Sequence, residues 1–447
     1  MFKNYKYRNI VLIVFSLLFY SWGEPVWVTL LIFSSVLDYT MGLMIERTDS
    51  KYIKKLGLVL SVCINLLLLM SFKYYGFLVE TFNAISGLEL AYRTFSLPVG
   101  ISFYTFQTMS YTIDVYRGEV KAQKSFAKFL MFVTLYHQLV AGPIVRYADI
   151  AEEIDNRREN PRDFSQGINR FVTGLFKKVI IANIAGEVAE SILGIELGSL
   201  SIFGSWAGIL FFALQIYFDF SAYSDMAIGL GMMFGFHYKE NFNYPYISKS
   251  VTEFWRRWHI SLGTFFRDYV YIPLGGNKKY QLRNIFIVWF LTGLWHGASW
   301  NFVIWGMYFG VLLLIEKLFL LKLLERLPKI ISHIYLIAAV LVGWVFFYFT
   351  DTYYALSYFT HMFSFGSVEL TDAFSTVIVL NNIYFLVFAM LLSTPVVKTV
   401  YSRFFRWKLE DELHFGYFNI AFNALIYVFS IMHLVGQSYN PFLYFRF

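Results

Sequence analysis

The sequence from Asn284 to Ile315 reads NIFIVWFLTGLWHGASWNFVIWGMYFGVLLLI, 32 residues without an Asp, Glu, Lys or Arg. As one straight helix it would be nearly 50 Å long at about 1.5 Å per residue, whereas the hydrocarbon core of a membrane is about 30 Å thick. We therefore predict a break at Gly297-Ala298-Ser299-Trp300-Asn301. The break leaves two short membrane spans joined by a turn on the outer side.

The rest of the chain has the composition of a membrane protein. Of 447 residues, 57% are apolar, 21% aromatic and 15% charged, against about 45–50% apolar and about 25% charged in soluble domains. This excludes a typical water-soluble enzyme and a disordered chain. We predict an all-α polytopic membrane protein with about 11 to 13 hydrophobic helices. Two segments, Phe129–Val145 and Ile202–Phe236, favour re-entrant or half-buried helices.

The charged residues indicate how the chain is oriented. There are 37 basic and 30 acidic residues, a net charge of +7. The basic residues cluster between apolar segments, while loops such as Gly23-Glu24-Pro25 and Asp351–Asp372 contain almost none. This pattern favours a lipid bilayer over a nucleic-acid partner. Cys63 is the only cysteine, so no intrachain disulfide can form. No small-residue cleavage site follows the first apolar stretch, so we expect that stretch to be retained.

His296 is an ionisable residue inside the charge-free run. It follows Arg283 by thirteen residues, which places it roughly 20 Å along a helix and past the middle of the membrane. An ionisable group at that depth indicates function, although a structural histidine bonded to a neighbouring helix is the alternative. With an ordinary pKa near 6.5, a neutral imidazole can accept a proton from a hydroxyl group. Trp295 and Gly297 flank it, and Gly297 permits close approach.

A second group of residues lies on the cytoplasmic side. Ser250-Val251-Thr252-Glu253 fits a capping box, which predicts a helix from Ser250 to about Tyr269. Four side chains share one face of that helix: Trp255, Trp258, His259 and Leu262. One interpretation is an interfacial helix anchored by its Trp and Arg residues. In the other, His259 faces the interior, and Arg256 and Arg257, with Lys278 and Lys279, bind an anionic donor.

Two carboxylates, Asp219 and Asp225, lie in otherwise apolar sequence. Buried acids require partners, and we expect them to pair with the Arg256 and Arg257 helix rather than to act in catalysis. Phosphate-binding loops, the Gly-x-Ser-x-Gly elbow and Cys/His metal spacings are absent from the sequence. We therefore predict no metal site and neither a hydrolase nor an ATPase.

Residues 253–277, EFWRRWHISLGTFFRDYVYIPLGGN, and Leu294-Trp295-His296-Gly297 resemble the membrane-bound O-acyltransferase family, and most of all its bacterial alginate O-acetylation branch. The resemblance covers Tyr20 to about Ile315. Further matches are Leu97–Gln107 (LPVGISFYTFQ), Ala141-Gly142-Pro143 and Phe218–Asp225 (FDFSAYSD). The run Tyr271–Gly276 (YIPLGG) distinguishes the chain from the teichoic-acid D-alanylation branch.

The resemblance implies an architecture and two catalytic residues. His296 corresponds to the family's principal catalytic histidine and His259 to its second one. The family fold is a multi-helix membrane body with a central funnel or tunnel. We expect a single acyltransferase domain over residues 1–447, with a catalytic core at about 95–315 and C-terminal spans at 334–434. Members usually carry another hydrophobic segment before Lys6-Tyr7-Arg8-Asn9, and this chain departs from that pattern.

The resemblance also implies a reaction. We expect transfer of acetyl from a cytoplasmic thioester, acetyl-CoA as a substrate, toward hydroxyls of an exported polysaccharide such as alginate. No tightly bound cofactor is expected. His296 would deprotonate the acceptor and His259 would assist. The residues expected to contact substrates are Trp255, Arg256, Arg257, Trp258, Trp295, Asp219 and Asp225.

Partners and alternatives follow from the same resemblance. We expect a multi-pass protein of the bacterial cytoplasmic membrane that works with an extracytoplasmic SGNH-type acetyltransferase. Other acceptors are peptidoglycan, or teichoic acid in a D-alanyl transfer. A different class is a non-catalytic transporter of envelope precursors, in which Asp219, Asp225 and His296 would relay protons.

Overall fold

The computed structural model describes residues 5–93, 95–140, 142–405, 412–436 and 441–443. Ala141, the first residue of the Ala141-Gly142-Pro143 match, lies outside the described residues. The described residues form helices and connecting loops and contain no β-strand. The all-α prediction is therefore confirmed for this part of the chain.

The helices are short for a membrane protein, and several are interrupted. Up to residue 200 they are α1 (Tyr5–Gly23), α2 (Val28–Arg47), α3 (Lys51–Leu69), α4 (Tyr75–Ser86), α5 (Ile101–Arg117), α6 (Phe126–Thr134), α7 (Tyr147–Asn156), α8 (Pro161–Phe176) and α9 (Asn183–Leu193). Those that follow are α10 (Ile202–Met233), α11 (Val251–Arg257), α12 (Ile260–Phe266), α13 (Gln281–His296), α14 (Trp300–Ile315), α15 (Leu321–Arg326), α16 (Lys329–Tyr348), α17 (Thr352–Met362), α18 (Ala373–Asn381), α19 (Ile383–Leu392), α20 (Val396–Phe405) and α21 (Glu412–Val435). Wider π-helical turns occur at Met70–Tyr74, Lys177–Ala182, Arg267–Tyr271 and Glu316–Leu320, and 3-10 turns at Leu197–Ser199 and Pro245–Ile247.

Four segments of the described chain are long and apolar enough to cross a membrane. They are Val28–Arg47, Lys51–Ser86, Ile202–Met233 and Lys329–Tyr348. The pair α18 and α19, bent by 60°, makes a fifth if it is one span. Other apolar helices are shorter, and α13 and α14 have 16 residues each. The chain is a multi-pass membrane protein, and the count of 11 to 13 hydrophobic helices stays a prediction.

The two segments expected to be re-entrant or half-buried have different outcomes. The interpretation of Ile202–Phe236 is wrong, because α10 is one continuous helix of 32 residues. Its most apolar window is 78% buried inside the protein, so most of this window contacts other parts of the protein. Within Phe129–Val145, α6 ends at Thr134 after only nine residues. That helix is about 14 Å long, too short to cross the membrane, in agreement with the prediction.

The break in the charge-free run lies where the sequence predicts it. α13 ends at His296, Gly297 is extended, and Ser299 precedes α14. The two helices pack with their backbones close together. A Cβ atom added to Gly293 would lie 2.4 Å from the carbonyl oxygen of Phe302, and one on Gly306 would lie 2.4 Å from that of Trp289. The helical hairpin therefore depends on these two glycines.

The described chain divides into two compact units, which we describe separately. The first contains Met1–Ile168 and Ala227–Lys239, and the second contains Asn169–Met226 and Glu240–Phe447. In the first unit, Asp38 on α2 is fully buried and accepts hydrogen bonds from Ser61, from Asn65 at 2.7 Å and from Thr112 at 2.9 Å. These bonds link α2 to α3 and α5. The second unit contains both candidate catalytic histidines. The single acyltransferase domain stays a prediction.

Replacement of Gly293 tests the close packing of the helical hairpin. We expect Gly293→Ala to destabilise the protein by about 1–3 kcal/mol, because the added methyl group meets backbone atoms that cannot yield easily. Gly198→Ala is the matched control, since nothing lies within 4 Å of a Cβ atom there. The measurement is unfolding in detergent. Equal stability of the two variants would contradict the described contact.

Candidate active site

His296 is the last residue of α13 and is buried, with 5% of its surface exposed. Its ring meets the rings of Trp305 and Phe347 edge to face, with centroids 4.8 and 5.3 Å apart. The ring of Trp295 is 5.0 Å away. The helix stops here because Gly297 continues in an extended conformation. The imidazole is therefore held at the helix end by aromatic side chains.

A small cavity of about 20 Å³ opens beside His296. Its lining consists mostly of apolar and aromatic side chains, with Asp219 as the other ionisable group: Ile216, Asp219, Phe220, Trp258, His296, Trp305, Trp344, Phe347 and Leu443. About 10–15 Å³ of such space holds one water molecule. The cavity is therefore the size of a water molecule, and an acyl group requires the surrounding side chains to move apart.

Asp219 is paired with a lysine and not with the arginines expected from the sequence. Its carboxylate accepts a hydrogen bond from Lys178 Nζ at 2.6 Å and one from the backbone N–H of Leu443 at 2.7 Å. Lys178 also donates to the carbonyl oxygen of Pro441 at 2.7 Å. The pair thus fixes the segment 441–443, whose Leu443 side chain lines the cavity.

Asp225 is also paired with basic side chains other than Arg256 and Arg257. It accepts hydrogen bonds from Arg170 at 2.8 Å and from Lys177 at 2.6 Å, and it does not line the cavity. The predicted pairing of both carboxylates with the Arg256 and Arg257 helix is therefore wrong. The available signal was the Lys177-Lys178 pair within an apolar stretch, which required partners of opposite charge.

The helix predicted from Ser250 to Tyr269 begins as expected but is not continuous. The Ser250 hydroxyl accepts a hydrogen bond from the backbone N–H of Glu253, as a capping box requires. The helix then ends at Arg257, and His259 has a left-handed backbone with φ of 45°. The prediction of a single helix is wrong, because Asn241 and Asn243 take the backbone groups at the break. Ile260 donates to the Asn241 carbonyl oxygen, and Asn243 donates to that of Arg257.

The break separates the side chains that were predicted to share a face. Trp258 lines the cavity and packs against Trp344, with ring centroids 5.0 Å apart. Trp255 packs in a different aromatic group, against Trp289, Trp305 and Phe309. Trp258 can therefore contact a reacting group in the cavity, whereas Trp255 supports the wall behind it.

His259 is held in one ring orientation by Asn241. Its Nδ1 lies 3.2 Å from Asn241 Oδ1, an oxygen that also accepts the backbone N–H of Ser261. Because Oδ1 is only an acceptor, Nδ1 carries the proton and Nε2 has the lone pair. Nε2 is buried and has no hydrogen-bond partner among the described residues. Burial lowers the pKa of His259 to about 3, so the ring is neutral at pH 7.

The indole of Trp295 lies close to both histidines. The ring centroid of Trp295 is 5.7 Å from that of His259 and 5.0 Å from that of His296. Phe220 lines the cavity, and its ring lies 4.6 Å from His259. The structure thus brings His296, His259, Trp295, Trp258 and Asp219 together.

The two arginines lie at the edge of this group. Arg256 is exposed. Arg257 forms an ion pair with Glu253 at 2.9 Å and donates to the Asn243 carbonyl oxygen at 3.2 Å. Lys278 and Lys279 are exposed as well. Contact of these four residues with a donor stays a prediction.

Glu316 positions the helix that leads to His259, and the sequence analysis missed it. Its carboxylate is fully buried and accepts the backbone N–H groups of Val251 at 2.6 Å and Thr252 at 2.8 Å. It thereby caps the start of α11. The signal was present, since Glu316 is the first charge after the 32-residue run. Asn241 gave no comparable signal, because its role depends on contacts distant in sequence.

Comparison with known proteins identifies the family. The sequence model of the membrane-bound O-acyltransferase family matches residues 17–350, a range that includes both histidines. The chain belongs to this family. It is an O-acyltransferase, and its relatives and apolar helices make it a bacterial multi-pass membrane protein.

Three relatives show how far the likeness extends. The chain is 38% identical to a probable alginate O-acetylase, AlgI, of Pseudomonas putida, over 99% of this chain and 95% of the relative. It is 40% identical to the probable alginate O-acetylase AlgI of Pseudomonas aeruginosa, over 82% of this chain and 72% of the relative. A peptidoglycan O-acetyltransferase of Helicobacter pylori is 34% identical over 77% of this chain and 72% of that protein.

The low pKa of His259 predicts a pH dependence of stability. In the unfolded chain His259 has an ordinary pKa near 6.5 and is protonated below that pH, whereas in the folded protein it stays neutral down to about pH 3. The free energy of unfolding therefore decreases as the pH falls from 6.5 toward 3. Between pH 6 and 4.5 we expect wild type to lose about 1.4 kcal/mol per pH unit more than His259→Gln. Unfolding measured across this range tests it. Parallel pH profiles would contradict a buried, neutral His259.

A double-mutant cycle tests the Lys178 and Asp219 pair. Lys178→Met or Asp219→Leu alone leaves one buried charge unpaired, and we expect each to cost about 3–5 kcal/mol. The double variant should cost much less than the sum. Lys239→Met, which removes an exposed partner of Asp149, is the control and should change stability by less than about 1 kcal/mol. Strict additivity of the two changes would contradict the pairing.

Proposed function

We propose that this enzyme moves an acetyl group from cytoplasmic acetyl-CoA toward hydroxyl groups of an exported, alginate-like polysaccharide, and that a partner protein makes the final transfer to the sugar. The observation that carries the proposal is the position of His296, buried at a helix end beside a small, partly open cavity. The likeness to probable alginate O-acetylases over most of the chain supports the choice of acceptor. The enzyme works in the cytoplasmic membrane.

The proposed reaction uses His296 as a general base. Its imidazole takes the proton of an acceptor hydroxyl, and the hydroxyl oxygen attacks the thioester carbonyl carbon. The C–S bond then breaks, and the sulfur leaves with the proton returned from the imidazolium. The products are the acetyl ester and the free thiol of coenzyme A. The aromatic walls exclude water, which otherwise would hydrolyse the thioester.

His259 assists from its position near Trp295. Asn241 fixes its Nδ1 as a donor, so Nε2 is the nitrogen that can accept a hydrogen bond. A neutral acceptor beside the reacting groups can orient the hydroxyl by accepting its hydrogen bond, without bringing in a second charge. The lack of a partner for Nε2 among the described residues supports this role.

The donor and acceptor approach from opposite sides of the membrane. Arg256, Lys278 and Lys279 are exposed on the basic, cytoplasmic side, and they would bind the phosphates of coenzyme A. The family's funnel or tunnel would connect this side with His296. An extracytoplasmic SGNH-type acetyltransferase would then complete the transfer to the polymer.

Peptidoglycan is the second candidate acceptor. The observation that favours it is the likeness to the peptidoglycan O-acetyltransferase of Helicobacter pylori. With either polymer, His296 would deprotonate the hydroxyl that first accepts the acetyl group. Chemical analysis of which purified polymer carries the acetyl groups separates them.

Substitution of His296 tests the proposal. We expect His296→Ala to reduce polymer O-acetylation at least 100-fold, because removal of a general base typically costs 10²–10⁴. The measurement is acetate released by mild base from the purified polysaccharide. His433→Ala, at an exposed histidine, is the matched control and should retain full acetylation.

The same cells distinguish an enzyme from a transporter. Both variants must be present in the membrane in equal amounts, and the exported polymer is weighed separately. Lost acetate with unchanged export supports the transferase. Undiminished acetylation in His296→Ala, or loss of the polymer itself, contradicts the assignment.

A further inference from the structure

Acyl transfer requires a hydrogen-bond donor for the oxygen that becomes negative. When the acceptor hydroxyl attacks the thioester, the carbonyl oxygen gains charge, and a donor already in place stabilises it. His296 enters this step as a proton acceptor, and Nε2 of His259 is an acceptor as well. The carboxylate of Asp219 is also an acceptor, with donors of its own. A donor from another residue of the cavity is therefore required.

Trp305 on α14 carries a donor of this kind. The Nε1–H group of an indole only donates. The side chain is fully buried and lines the cavity, and its ring centroid lies 4.8 Å from that of His296. Nε1 is buried and has no hydrogen-bond partner among the described residues. Such a donor costs free energy while the site is empty, so it calls for an acceptor that a bound group supplies.

The rings packed around Trp305 do not supply that acceptor. Phenylalanine has no polar side-chain atom, and tryptophan has only a donor. Besides His296, the rings lie at centroid distances of 5.3 to 6.3 Å and belong to Trp255, Trp289, Phe309, Trp344 and Phe347. This packing holds the indole in one position and leaves the cavity as the space from which an acceptor reaches Nε1.

The cavity has the size of one oxygen atom with its surroundings. Its volume is about 20 Å³, and one water molecule needs about 10–15 Å³. Apart from His296 and Asp219, the lining is apolar or aromatic, and the charge of Asp219 is offset by Lys178 at 2.6 Å. In such an interior a hydrogen bond to a charged oxygen is stronger than in water.

Trp344 is another buried indole that lines the cavity, and its Nε1 also forms no hydrogen bond of ordinary geometry with the described residues. The hydroxyl oxygen of Tyr246 nevertheless lies close to its N–H. Trp305 is the better candidate, because its ring is in direct contact with His296. The base holds the attacking hydroxyl next to the carbonyl carbon, so the donor for the carbonyl oxygen must lie beside the base.

We propose that the Nε1–H of Trp305 donates a hydrogen bond to the thioester carbonyl oxygen and stabilises the negative charge that develops on it. The inference rests on the proposed function, since it adds a donor to that reaction. The proton of the hydroxyl still passes to His296, and the indole keeps its own. As the C–S bond breaks, the carbonyl double bond forms again and the proton leaves with the sulfur.

Infrared spectroscopy of bound acetyl-CoA tests this contact directly. The probe is acetyl-CoA labelled with ¹³C at the thioester carbonyl, bound to the full chain in phosphatidylcholine nanodiscs without an acceptor polymer. A hydrogen bond lowers the stretching frequency of a carbonyl, so the band should lie lower with wild type than with Trp305→Phe. Affinity for acetyl-CoA should change by less than about threefold, because the bond strengthens mainly as charge develops.

Trp289→Phe is the matched control. It removes an indole from the same aromatic group, 6.2 Å from Trp305 between centroids, and that indole does not line the cavity. It should leave the carbonyl band as in wild type. In cells, Trp305→Phe should slow acetylation of the polymer about 10²–10³-fold, as loss of one oxyanion donor does, whereas Trp289→Phe should retain most of the rate.

Two outcomes overturn the role of Trp305. One is the same carbonyl frequency in wild type and Trp305→Phe. The other is an equal loss of acetylation in Trp289→Phe, which would assign the effect to packing. The proposed function fails separately if His296→Ala retains acetylation. If wild type does not bind acetyl-CoA, the proposed donor fails and the role of Trp305 fails with it.

Discussion

The interior of a membrane offers no water to satisfy a buried polar group, and this constraint shapes the polar contacts of the structure. Asp219 is paired with Lys178, Glu316 caps α11, and Asp38 accepts bonds from two neighbouring helices. Each contact joins elements that are far apart in sequence. Only 15% of the residues in this chain are charged. These few polar contacts fix the relative positions of the helices and the loop that they join, which apolar packing alone would determine less precisely.

The same constraint explains how the catalytic region is built. A helix break in an interior without water frees backbone groups, and it persists only where protein satisfies them. At His259 the segment with Asn241 and Asn243 does so, and it also fixes the imidazole. At His296 the break is made by Gly297, and aromatic rings surround the side chain. Both histidines thus lie at interruptions of helices, where a side chain can face a cavity instead of a neighbouring turn.

Patterns within a short stretch of sequence correctly predicted the features that depend only on neighbouring residues. The break at Gly297–Asn301 followed from length, and the cap at Ser250 followed from one hydrogen bond. The helix beyond Arg257 was mispredicted because its periodicity contains no information on Asn241, sixteen residues earlier. The partners of Asp219 and Asp225 were missed for the same reason. The negative charge of a carboxylate predicts a basic partner, but it does not identify which basic residue of the chain lies nearby. The continuity of α10 depended on burial, which hydropathy alone does not reveal.

The polar atoms of the site differ in whether the protein supplies all of their hydrogen-bond partners. The carboxylate of Asp219 is occupied by Lys178 and by the N–H of Leu443, so it stabilises the wall of the cavity. His259 is different, because its Nδ1 is bonded while its Nε2 is buried without a partner among the described residues. Leaving such an atom unsatisfied costs about 1–3 kcal/mol. Asn241 could have satisfied only one nitrogen, and the fold supplies nothing for the other. A hydrogen-bond donor that reaches Nε2 would therefore recover this free energy.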